Sequence, residues 1–192
     1  MAIIVPLRRR MTALVLIGAS VLIAQPLPPK PGSQAVEHRI AEIRSRLEKS
    51  SPANPQQSEL ATFAQRYLDD AVRALHAGRR FQAQRLADAA DACRRPIDHL
   101  QHAAESPAEP PRPLPEPEDH LRQVYFRLRL CDFFLQQIPP PAPVRLREIA
   151  RGFYEQAVKA QQANRAAIAE EYAKAADDLT HALESLAQAA LP

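Results

Sequence analysis

The sequence is poor in glycine and in aromatic residues: it has four glycines, four tyrosines, six phenylalanines and no tryptophan in 192 residues. So little glycine leaves no phosphate-cradling loop, and neither a nucleophile elbow nor a His-Glu zinc-protease motif is present. No catalytic constellation emerges, so a non-enzymatic protein is expected, with no cofactor. Sustained alternation of apolar and polar residues is also missing, which removes the support for strands. Charge of one sign is lacking too. The formal charge of +3 comes wholly from Arg8, Arg9 and Arg10, and beyond residue 24 basic and acidic side chains are equal in number. A balanced chain has no cationic footprint for nucleic acid, so no nucleic-acid partner is expected.

What is present is alanine, and 19 prolines gathered in clusters. Together with helical periodicity they predict an all-α protein with Pro-rich connectors. The informative stretch is 63–104, which reads as a helix, a tight turn at Ala77-Gly78-Arg79 and a longer helix. It returns without a gap at 149–190, an offset of 86 residues, with 14 identities in 42 positions, of which 10 are alanine. Val72 matches Val158, Arg79 matches Arg165, Asp91 matches Asp177 and Leu100 matches Leu186; Tyr67 faces Phe153 and Asp69 faces Glu155. Gly78 aligns with Asn164, and these are the two residue types that most readily take the left-handed conformation ending a helix.

Each repeat gains a third helix in front. Val36, Ile40, Ile43 and Leu47 lie on one helical face after Ser33, a plausible N-cap. Val124, Leu128, Cys131 and Leu135 repeat that face 88 residues later. Asn54, Pro55 and Gln57 spell a helix start, with Asn as cap, Pro at the first position and Gln closing the box. Leu60, Phe63, Tyr67, Ala71 and Leu75 line the second helix, and Leu86, Ala90, Cys93, Ile97 and Leu100 the third. The third helix keeps its phase through Pro96, where a bend is expected. The fourth starts near Glu118, the fifth uses Leu146, Ile149, Phe153 and Ala157, and the sixth runs on from Ile168. The architecture expected is an antiparallel helical bundle or short helical-repeat array, with six main helices in two three-helix repeats, 33–104 and 118–192. The 105–117 segment holds six prolines and reads as a stiff linker.

Residues 1–24 have the layout of a secretory signal peptide, a basic region followed by an apolar core at 11–24. Cleavage after Ala24 would leave a Pro-rich lead-in, 25–32. That core is 14 residues long, short of the roughly 20 a spanning helix needs. An uncleaved segment is the one route to a membrane association. The expected location is periplasmic or secreted, through bacterial-type export.

Two sets of side chains are candidates for chemistry. Cys93 and Cys131 are the only cysteines. Both lie on apolar seams, which suits buried thiols; in an oxidising compartment they also form a candidate disulfide, provided helices three and four fold back on each other. His99 and His102, one helical turn apart, are weak candidates for metal ligation. The second copy has no such pair, since His181 aligns with Arg95. Tyr67, Tyr125, Tyr154 and Tyr172 suit a groove or a core.

Tyr67, Ala71, Gly78, Ala83, Ala90 and Pro96 form a spaced pattern that resembles a tetratricopeptide helix pair. Phe153, Ala157, Asn164, Ala169 and Ala176 resemble it again. The resemblance covers about a third of the chain beyond residue 24. It departs in its 86-residue period against the family's roughly 34, in longer second helices, and in Ala182 standing where Pro96 does. It implies a scaffold that binds a peptide or another protein. The duplicated hairpin supports the same expectation, an exported helical scaffold with a protein or peptide partner; the alternative is a small-ligand or metal binder in the bundle core.

Overall fold

Apolar residues spaced three and four apart can be buried only by helices packed on helices, and six form. They are α1 Ser33–Lys49, α2 Pro55–His76, α3 Arg80–Glu105, α4 Pro117–Leu135, α5 Ala142–Gln162 and α6 Ala166–Ala190. The computed structural model describes residues 33–105, 117–136 and 142–191. Residues 1–32, where a signal peptide and a Pro-rich lead-in are expected, and residues 106–116 of the connector lie outside the described residues. No strand occurs among the described residues.

The local signals act as their chemistry requires. Asn54 is extended and its side chain accepts a hydrogen bond from Gln57 N at 2.9 Å. Gln57 Oε1 in turn accepts from Ala53 N, one residue before the cap, so the expected box closes one residue early: one orphaned helix donor, Gln57 N, is satisfied and the chain entering the helix is tied down. α3 runs unbroken through Pro96, which is buried. The bonds lost at that residue are outweighed by packing on both sides. Pro117 and Pro143 sit in the first turns of α4 and α5, where a missing N–H costs little.

The duplicated turn is duplicated bond by bond. Gly78 has φ +75° and Asn164 φ +54°. Gly78 N donates to Leu75 O at 2.9 Å and Arg79 N to Ala74 O at 2.9 Å; one period later, Asn164 N donates to Gln161 O at 3.0 Å and Arg165 N to Ala160 O at 2.9 Å. This is the Schellman arrangement, which satisfies carbonyls that the helix end leaves open. It returns each helix antiparallel to its predecessor.

α3 packs on α1, α2 and α6, and α6 packs on α3, α4 and α5. Along the α3–α6 contact, Arg95 reaches Asp178 while His99 reaches Glu171. Residue numbers rise on one helix as they fall on the other, so these equivalent helices run antiparallel. The copies are thus related by an approximate two-fold axis, whereas stacked repeats place equivalent helices parallel. A second contact shows it directly. Arg145 Nε and Nη2 bond Glu59 Oε1 and Oε2 at 2.8 and 3.0 Å, and these two residues are exactly one 86-residue period apart. A position meets its own equivalent only at a two-fold axis. Within each copy the outer helix is placed alike: Arg39 of α1 lies 3.9 Å from Asp91 of α3, and Arg127 of α4 lies 2.7 Å from Asp177 of α6.

One continuous core fills both copies, with Ile43, Leu60, Leu68, Ile97, Leu146, Phe153, Leu179 and Leu183 each almost wholly enclosed. Each such side chain contributes about 1.5–3 kcal/mol by leaving water.

The left-handed turn gives a direct test. A Cβ at Gly78 would meet no atom within 4 Å, so only backbone strain opposes it. Gly78→Ala is expected to lower stability by about 1 kcal/mol. Asn164→Gly should cause no loss. Urea midpoints at constant slope measure both, and an unshifted midpoint for Gly78→Ala would exclude strain at this turn.

Candidate functional site

Two regions break the two-fold pattern, and they are where specific chemistry collects. The first is the outer face of α4. Val124, Leu128 and Cys131 of this helix enter the core, yet Phe126, Leu130 and Phe133 are exposed at 64%, 42% and 58%. The spacing of four and three puts these three on one line along the helix. The matching positions of α1 are His38, Glu42 and Ser45, all exposed. One copy therefore shows water a polar face and the other an apolar one. Arg122 and Arg129 are exposed along one margin of the stripe. Beside it, Leu121, Arg122, Tyr125 and Tyr154 line a shallow groove of about 350 Å³. The Tyr125 and Tyr154 rings lie 6.0 Å apart. Tyr125 and Tyr154 therefore line this groove, while Tyr67 is buried and Tyr172 packs 6.2 Å from Phe153 at the edge of a separate cleft.

The second region is the polar seam between α3 and α6. Asp178 is almost fully buried and takes Arg95 on one oxygen at 2.8 Å. Its other oxygen lies 3.3 Å from His99 Nε2, off the line of a well-aligned hydrogen bond. His99 Nδ1 is 2.7 Å from Glu171, whose second oxygen accepts from Lys174 at 3.0 Å. His102 completes the group: one ligand atom each from His99, His102 and Glu171 all lie within 4.8 Å of one another. The contacts with Asp178, foremost, and with Glu171 raise His99 above the ordinary histidine range against the opposing effect of burial. Burial pushes the Glu171 carboxyl up, but hydrogen bonds from His99 and Lys174 outweigh it and hold the group low. One turn away, Arg94 is buried and bonded to Asp98 and Asp91 at 2.5 and 3.3 Å. Its charge is therefore compensated inside the protein.

A larger cleft of about 600 Å³ opens at the end of the bundle where α3 and α5 finish and α2 and α6 begin. Asn54, Gln57, Gln101, Lys159 and Arg165 share its lining with Leu100 and Tyr172. Its mixed wall has no concentration of charge or of nucleophiles.

Cys93 and Cys131 are both buried free thiols. α6 rather than α4 covers α3, so the α3–α4 hairpin that a bridge would need does not form. Cys93 has Asp178 in its surroundings, while Cys131 lies toward Arg147, Asp132 and Glu184. Burial raises the Cys93 thiol far out of the reactive range and pushes Cys131 up to about 12.

His99 and His102 were legible in the sequence but Glu171 was not, because this third donor arrives from 69 residues away across the two-fold contact. The α4 stripe was legible in principle: comparing outer faces at the 88-residue offset sets Phe126, Leu130 and Phe133 against His38, Glu42 and Ser45. No family model, curated protein or solved structure matches the chain.

The seam should respond to pH with a definite sign. With chelator present, the raised His99 stabilises the fold fully below about pH 6.5, and that contribution is lost as pH rises through its folded value. Glu171 acts oppositely: its contribution holds above the ordinary carboxylate range and is lost as pH falls through its lowered value. Urea midpoints should decline on the alkaline side in the native chain and stay flat there in His99→Gln. A parallel decline in both would exclude His99 as the source.

Proposed function

We propose that the chain is an exported, non-enzymatic helical scaffold whose α4 outer face docks an apolar-faced helix of another protein. The observation that carries this reading is the exposed line Phe126, Leu130 and Phe133 on a helix whose partner copy is polar at the same places. Exposing large apolar side chains in a row costs solubility, and such patches mark interaction sites. Residues at i, i+4 and i+7 extend about 10 Å along the axis. That is the anchor spacing with which an amphipathic helix meets a groove, and the Tyr125–Tyr154 groove lies alongside. Arg122 and Arg129 at the margin favour an occupant with acidic residues flanking its apolar face. The basic and apolar segments at 8–10 and 11–24 support export, with removal of about 24 residues expected. Intact mass of the protein taken from its native compartment tests that part.

Docking is tested in intact cells with a photocrosslinking residue in place of Gln123, which is exposed beside the stripe. The expected result is a discrete adduct with a second protein, lost when Phe126 and Leu130 are both replaced by Asp and retained in His38→Asp on α1. An adduct unaffected by the double substitution overturns the reading. An adduct of twice the chain's mass would assign the face to self-association, and capture of lipid alone would assign it to a membrane surface.

A further inference from the structure

We propose that His99, His102 and Glu171 bind a divalent transition-metal ion, with zinc the best fit, across the contact between α3 and α6. The site does not depend on the docking face of α4. Imidazole nitrogen with a carboxylate oxygen is a donor set that zinc takes readily, and three protein ligands leave one position of a tetrahedron open. The three donors already converge within 4.8 Å. Two come from one turn of α3 and the third from α6, so the ion would tie the two copies together.

The surroundings strengthen the assignment. A metal-bound histidine commonly turns its other nitrogen to a carboxylate, which fixes the ring and raises its basicity. His99 has that arrangement: Nε2 lies 3.3 Å from the Asp178 carboxylate while Nδ1 points to Glu171 at 2.7 Å. Asp178 is held in place by Arg95 at 2.8 Å and is almost fully buried. The oxygen facing His99 has no aligned hydrogen-bond donor among the described residues. A buried carboxylate oxygen left in that condition is costly in a purely structural seam. It is accounted for when a cation on the far side of the ring draws Nε2–H toward it. Asp178 is then a positioning residue and not a ligand.

The group is confined to one copy. At the equivalent positions His99, His102 and Glu171 are replaced by Ser185, Gln188 and Arg85. An arginine in the place of the carboxylate leaves the second copy no donor set, so the expected stoichiometry is one ion per chain.

Zinc chloride is titrated into the untagged, chelator-treated full chain by calorimetry, with cobalt(II) absorption as a second readout. The expected result is saturation at one equivalent. His102→Ala should weaken binding at least tenfold, and Asp178→Asn roughly tenfold, in line with the usual effect of losing an outer partner. The cobalt bands of a low-coordinate nitrogen and oxygen site should disappear in His102→Ala. His102 is exposed, and a single cooperative urea transition in its metal-free variant separates lost ligation from misfolding. His38→Ala and His76→Ala should bind as the native chain does. Absence of saturable binding, or equal affinity in the native chain and His102→Ala, overturns the proposal.

Discussion

Everything else in this molecule depends on two long alanine-rich helices lying against each other in opposite directions. Ala87, Ala89, Ala90 and Ala92 of α3, and Ala173, Ala175, Ala176 and Ala182 of α6, are all buried. Small side chains allow close backbone approach, and the dispersion gained over many short contacts replaces what larger side chains would supply. Neither three-helix unit can cover its own long helix, because α1 and α2 leave one face of α3 open and α4 and α5 do the same for α6. The two units are therefore stable together, as a single core with one seam.

That seam also sets where novelty can enter. A two-fold arrangement duplicates each solution: the turns at Gly78 and Asn164, and the ion pairs Arg39–Asp91 and Arg127–Asp177. Positions that keep the fold are thereby occupied twice, and specialisation falls on those that the packing leaves free. The outer face of α4 is one such place and the polar margin of α3–α6 is another. Each carries side chains in one copy that the other copy replaces with ordinary surface residues.

Much of the fold was legible in the sequence because its signals are local. Asn54 with Gln57, the left-handed residues at Gly78 and Asn164, and the unbroken phase through Pro96 each act within a turn or two of the chain. The direction in which the two copies meet was not legible. Hydrophobic stripes on α3 and α6 demand burial but do not say against which helix, so folding α3 onto α4 satisfied the pattern as well. That choice decided the cysteines, since α6 took the place that α4 would have needed. The same long-range step hid Glu171. The outer stripe of α4 was masked locally instead, because its inner stripe, Val124, Leu128 and Cys131, already accounted for the helix.

The contact between Glu59 and Arg145 has a consequence for descent. In an assembly of two identical three-helix chains, the residue on the axis would face a copy of itself, and two glutamates or two arginines there would repel. A glutamate opposite an arginine can arise only once duplication leaves each copy free to mutate alone. The pair therefore marks divergence of the two copies at the axis itself, and it discourages either half from recombining with a twin of its own kind.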